Sequence, residues 1–236
     1  MGQVTLPGNP PIDVVIKRSA RARRISLRVS GIDGTVSMTL PRGISEAQGV
    51  DFAREKADWL RGHLAGRPDL VAVAHGVDVP VAGEMLTVAP ASSGRAIRVS
   101  EGKIWVPGPD EQVGRRVQSW LKTLARDRLV QASDRYAALL GTEYSGISLR
   151  DTRSRWGSCS SRGGLSYSWR LILAPAEVLD YVAAHEVAHL REMNHSARFW
   201  ALVEKLDPEF EASRRWLRTH GAALHRYRFD IDADAR

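Results

Sequence analysis

The stretch "AAHEVAHLREMNHSARFW", residues 183–200, carries three of the seven histidines in the chain, with a glutamate directly after the first. His185 and His189 are four residues apart. On a helix that spacing puts both imidazoles on one face, roughly 5–6 Å apart at Cβ. Both can then reach one metal ion at about 2.0–2.1 Å, a distance at which nitrogen ligands suit Zn²⁺. Glu186 lies at the side of the same face, placed to take a proton from a water on the metal without binding the metal itself. The apolar residues around it, Tyr181, Val182, Val187 and Leu190, predict a buried helix.

A catalytic zinc keeps three protein ligands and leaves a place for water, whereas a structural zinc has four. His195 is the third ligand that the spacing favours, and Glu204, Glu209 and Glu211 are the alternatives downstream. The spacing H-E-x-x-H-x5-H equals that of metzincin proteases, except that Glu192 stands where those place a glycine. The turn must therefore be built differently. Asn194 suits a left-handed exit from the helix.

The 236 residues suffice for one large domain or two small ones, and the composition, 43% hydrophobic and 26% charged, is that of a globular protein. The single cysteine, Cys159, rules out an intramolecular disulfide and fits a reducing compartment. No run approaches the roughly 18 apolar residues of a membrane span, and no early stretch resembles a signal peptide. A cytoplasmic protein without membrane contact is the expectation. The formal charge of +7 favours polyanionic partners, and "KRSARARR" (17–24) is a basic surface with which nucleic acid is compatible.

Short β-branched runs at 12–18, 23–29 and 34–40 read as strands, with "SGIDG" turning between the last two. Ser45 and Gln48 form a capping-box pattern opening a helix that ends near Gly66. Strands return between about 71 and 106, and "PGPDEQ" (107–112) reads as a linker. A long helix follows from Val113, closed by Gly141. Strands are expected around 146–151 and 164–173. Pro175 then suits the first position of the histidine-bearing helix, a further helix begins near Ser196, and the last one ends by Gly221. The tail from Arg228 reads as frayed. The fold class is α+β, divided into a β-rich part with one helix (1–106) and a metal-dependent hydrolase domain (107–236).

"RWGSC" (155–159), "YVAAHEVAHL" (181–190) and "NHSARFW" (194–200) together closely resemble the YgjP-like, or DUF45, zinc metallopeptidase family, related to SprT/Wss1-type zincins. "RRISLRV", "LPRG" and "WL" in the first part resemble it too. The resemblance implies a minimal zincin fold, a small mixed sheet packed on the HExxH helix with an edge strand over the zinc. It also implies His185, His189 and His195 as ligands and Glu186 as base.

Arg153 and Arg155 offer guanidinium donors to a substrate carboxylate or phosphate, and Tyr167 is a candidate oxyanion donor, although a core position suits it as well. Trp156 and Cys159 read as packing residues. His220 and His225 read as non-ligands. The first functional reading is a zinc-dependent peptidase with Glu186 as general base. The alternatives are a metal-dependent nucleoside triphosphate hydrolase gripping phosphates through Arg153 and Arg155, and a protease associated with DNA. The residues leave Mn, Ni, Co and Fe open beside zinc, and leave the oligomeric state open.

Overall fold

In "VSMTLP" (36–41), Val36, Met38 and Leu40 are fully buried while Ser37 and Thr39 face outward, the period of two that makes a strand with one covered face. The computed structural model describes residues 2–31, 34–66 and 69–230. These fall into two compact units, Met1–Asp69 and Leu70–Arg236.

The first unit is a four-stranded sheet carrying two helices. Its strands are β1 (Gly2–Leu6), β2 (Ile12–Ser19), β3 (Ser26–Val29) and β4 (Val36–Pro41), in the order β1-β2-β4-β3. β2 and β4 are parallel and the other pairs antiparallel. The helices are α1 (Glu46–Glu55) and α2 (Ala57–Ala65), and Leu60 joins Leu6, Ile12, Val14, Met38 and Leu40 in one core. The capping box at Ser45 is formed in both directions. The single helix expected over 45–66 is two, because Lys56 leaves helical geometry (φ −97°, ψ 7°). β1 was not expected from the sequence. In the "SGIDG" turn, Ile32 and Asp33 lie outside the described residues.

The second unit begins with β5 (Val71–Ala72), β6 (Asp78–Val81), β7 (Glu84–Pro90), β8 (Arg98–Ser100) and β9 (Lys103–Val106). The long helix α3 (Val113–Leu140) follows and ends at Gly141, whose left-handed backbone (φ 58°) suits glycine. Next come β10 (Gly146–Arg150), β11 (Gly157–Cys159) and β12 (Gly164–Ser168), then α4 (Ala176–Ala188), α5 (Ala197–Leu206), α6 (Phe210–His220) and β13 (Tyr227–Arg228). One sheet runs β6-β7-β9-β8, a second runs β10-β12-β11, and β13 pairs with β5. The second sheet is mixed, with β10 parallel and β11 antiparallel to β12. The class is α+β, as the sequence indicates.

The division expected at 106/107 is displaced to 69/70. Val79, Val81, Leu86, Val88, Ile104 and Val106 share one hydrophobic core with Val117, Leu121 and Leu129 of α3 and with Val187 of α4. A boundary at 107 would cut that core. Pro175 stands one position before α4 rather than inside it, and residues 169–173 form 3₁₀ turns where strand was expected. The C-terminal segment is anchored as far as the described residues extend. Buried Arg170 donates to both Asp151 oxygens (2.7 and 3.2 Å) and to the carbonyls of Leu224 and Tyr227 (3.2 and 3.1 Å). Phe229 packs edge-on against Trp169. The frayed-tail expectation is thus corrected through Asp230; residues 231–236 lie outside the described residues.

Candidate metal centre

Helix α4 is apolar nearly all round, and nine of its thirteen residues are buried. A helix of that kind presents few polar side chains, so the ones it does bury need partners. Its C-terminal end unwinds through bonds from Leu190 N–H to the Val187 carbonyl and from the amides of Arg191 and Glu192 to Ala188. Asn194 is not left-handed, since Ala82 and Glu101 are the described non-glycine residues with positive φ. Its side chain instead accepts from Ser196 N–H (3.2 Å), and Ser196 caps α5 by accepting from Phe199 N–H (3.3 Å). Arg191 ties the turn to the end of α3 through the carbonyls of Leu140 and Gly141 (3.0 and 2.7 Å). These bonds replace the glycine-built turn.

The outcome is that His185, His189 and His195 face one another, with ligating nitrogens all within 4.8 Å. Nε2 of His185 and Nε2 of His195 are 3.1 Å apart. Two nitrogens held at about 2.0–2.1 Å by one tetrahedral ion stand about 3.3–3.4 Å apart, so the His185–His195 pair is close to the spacing one ion needs and the third nitrogen lies within reach of the same ion. His189 donates from Nδ1 to the Glu192 carbonyl (2.9 Å), which fixes its tautomer and leaves Nε2 with a free lone pair. Burial, then the charges of His189, His195 and Arg214, lower the pKa of His185 to about 3. Burial also lowers that of His189, against the pull of its bond to Glu192. Both imidazoles are therefore neutral at pH 7, the form that binds a metal.

Phe199, with no exposed surface, is the floor beneath all three rings, its centroid 4.8, 4.4 and 4.8 Å from those of His185, His189 and His195. Trp200 stacks on His195 (5.8 Å), and Tyr181 meets His185 edge-on (5.9 Å).

Glu186 is 5% exposed, and its carboxyl lies under β11. A Cβ on Gly157 would sit 2.5 Å from Glu186 Oε1 and 2.6 Å from its Cγ, so only glycine lets this edge strand come so close. Burial raises the Glu186 pKa to about 8, opposed by the charge of Arg155.

A YgjP-like metallopeptidase domain profile matches residues 23–220. The chain belongs to the YgjP-like metallopeptidase family. Among solved structures, the crystal structure of the metallopeptidase zymogen of Pyrococcus abyssi abylysin matches with 24% identity over 40% of this chain and 93% of that one, at a TM-score of 0.34. No curated protein matches significantly. Membership makes the protein a metallopeptidase-type hydrolase, and its family implies a metal.

The remaining candidates of this family member separate spatially. Arg155 is exposed, its charge reaches Glu186, and it lines an outer cleft of about 580 Å³ with Ser148, Arg150, Ser158 and Ser166. Arg153 instead acts on His225. Tyr167 is a core residue, 1% exposed, with its hydroxyl 3.0 Å from Ser133 Oγ, and is not available as an oxyanion donor. Trp156 packs on His225 (5.3 Å), and Cys159 is half-buried, its thiol pKa raised by burial and by Glu186. A nucleophilic thiol needs the opposite shift. His220 and His225 stand apart from the trio, and Glu204, Glu209 and Glu211 line a cleft of about 700 Å³ between α5 and α6. Sequence reasoning did not find the roles of Gly157 and Arg191. Tyr181 was legible as a wall of the centre, since 181, 185 and 189 share one helical face.

Proposed function

We propose that the protein is a zinc-dependent peptidase in which His185, His189 and His195 hold one ion and Glu186 is the general base. One observation carries the reading: three imidazoles converge at the end of the helix that carries the buried residue Glu186. When bound, the ion supplies Lewis acidity, polarising a carbonyl and lowering the pKa of water from 15.7 toward about 7. Glu186 accepts a proton from the attacking water and returns it to the leaving amine, as base and then acid. Its ordinary carboxylate pKa is shifted toward neutrality by burial, which suits both tasks. Gly157 closes over Glu186, which is 5% exposed, and Phe199 closes under the three histidines. β11 is the edge strand of its sheet, and its backbone offers an extended peptide the hydrogen bonds of an added strand. Family membership and this edge favour a peptide over a nucleotide substrate.

The test is metal content and turnover of wild type and Glu186→Gln on casein and on nucleoside triphosphates. Equal zinc of about one per chain, with casein cleaved by wild type alone, is the expected result. Wild type without metal after gentle purification, or nucleotide turnover without proteolysis, would overturn it.

A further inference from the structure

Residues 14–32 contain no acidic side chain, and six cations crowd the middle of that stretch: Lys17, Arg18, Arg21, Arg23, Arg24 and Arg28. The fold adds a seventh from elsewhere. β3 runs antiparallel to β4 with Ser26 opposite Thr39, so that register, carried on past the paired residues, brings Arg42, just beyond β4, toward the bend with Arg23 and Arg24 that leads into β3. β2 runs parallel to β4 with Lys17 opposite Thr39, which brings its basic end to the same place. All seven are exposed.

The face they border is polar. Met38 and Leu40 point into the core with no exposed surface, so their neighbours on β4, Ser37 and Thr39, point out. Lys17, Thr39 and Ser26 form one row across three strands, and Val15, Ser37 and Arg28 the next, Val15 being the half-buried apolar residue among them. At about 4.8 Å between strands and 3.3 Å per residue, the cations cover roughly 10 by 13 Å.

Among the described residues, the carboxylates on the strands and helices of this unit are engaged elsewhere or lie on the helices. Glu46 is 3.7 Å from Arg18, Asp13 accepts from Thr5, and Asp51 and Asp58 pair with Arg54 and Arg61. The other six cations of the patch have no ion pair among the described residues. A surface that leaves so many like charges together without counter-charges is complementary to a polyanion.

Which polyanion follows from the side chains. Six of the seven cations are arginine, whose planar fork fits phosphate oxygens, and the serine and threonine hydroxyls between them add further donors to phosphate. Among the described residues of 12–45 no large hydrophobic side chain is exposed, so the described part of this face has nothing to insert into a lipid surface. We infer that this end of the first unit is a nucleic-acid-binding surface that grips the phosphate backbone without reading bases. The inference is independent of the metal centre.

The test is fluorescence anisotropy of a labelled 20-base-pair DNA duplex with the full-length protein, from 50 to 300 mM salt. With Arg18 held by Glu46 and the other six cations each neutralising one phosphate, log K falls against log salt with a slope of about −5. Arg23→Glu/Arg24→Glu/Arg28→Glu raises Kd about 30-fold or more and brings the slope to about −3. Arg98→Glu/Arg126→Glu/Arg128→Glu, an equal change of net charge on exposed positions of the second unit, leaves Kd within about threefold. The neutral Arg23→Gln/Arg24→Gln/Arg28→Gln variant lies in between and guards against misfolding by charge reversal. No binding by wild type at 50 mM salt overturns the inference. So do equal effects of the two charge-reversed triples, or binding to anionic vesicles without binding to the duplex.

Discussion

Replacing Gly157 by alanine tests the centre without replacing any titratable group. The added methyl would stand 2.5 Å from Glu186 Oε1, 2.6 Å from Cγ and 2.8 Å from Cδ. Ordinary carbon contacts need about 3.5–4.0 Å, so the carboxyl or the strand must retreat by about 1 Å. Glu186 has little room to do so, being 5% exposed. Overpacking of this size costs about 1–3 kcal/mol, which in a unit of this length lowers Tm by roughly 2–10 °C. The effect on catalysis is larger, because a displacement of about 1 Å costs on the order of 100-fold in rate. Gly157→Ala should therefore keep its zinc and most of its stability while kcat on a peptide substrate falls about 100-fold and KM changes little. Zinc stoichiometry, thermal melts and steady-state kinetics measure the three separately. A variant with kcat within about threefold of wild type would refute the placement of Glu186 at the reacting centre.

Three further outcomes are expected. Phe199→Ala removes the floor under the histidines and should destabilise the protein by about 3–5 kcal/mol, with weaker zinc retention in a competition against a chelator; retention equal to wild type would speak against the floor. Chelation should lower Tm, by the equivalent of about 2.7 kcal/mol when zinc had been present at 100 times its Kd. His185→Ala should show no such response in a chelator-dependent melt. Burial, then the charge of Arg170, lowers the His225 pKa to about 4, with Asp151 opposing and Arg153 adding. The unfolded chain then binds a proton at about pH 6.5 that the folded chain refuses until about pH 4. The resulting stability is present above pH 6.5 and lost as pH falls through that window, by roughly 2–3 kcal/mol. His225→Phe should flatten this part of the difference between the two melting curves, and identical pH dependence would exclude it.

The histidine pair and Glu186 were legible because a helix turns a spacing of four into a shared face, whatever surrounds it. The capping box at Ser45 and the end of α3 at Gly141 were legible for the same reason, each being decided within one turn of chain. β11 was not: its three residues, Gly157–Cys159, carry no alternation, and they are a strand only because β12 pairs with them. The left-handed exit expected at Asn194 failed because side-chain and carbonyl acceptors, Asn194 Oδ1 and the Ala188 carbonyl, satisfy the amides of that turn instead.

By itself, then, the sequence determined the α+β class, the resemblance that family membership bears out, and which residues are chemically able to form the centre. Those are properties of short stretches, set by spacing and side-chain type. Only the tertiary structure decided where the chain divides, since Val79 to Val106 join a core whose other half lies beyond residue 112. It also took Tyr167 out of the active surface by bonding it to Ser133, 34 residues away, and brought Gly157 onto Glu186 and Arg42 to the basic end of β2. Such contacts depend on which elements pack together, and no local pattern encodes that choice.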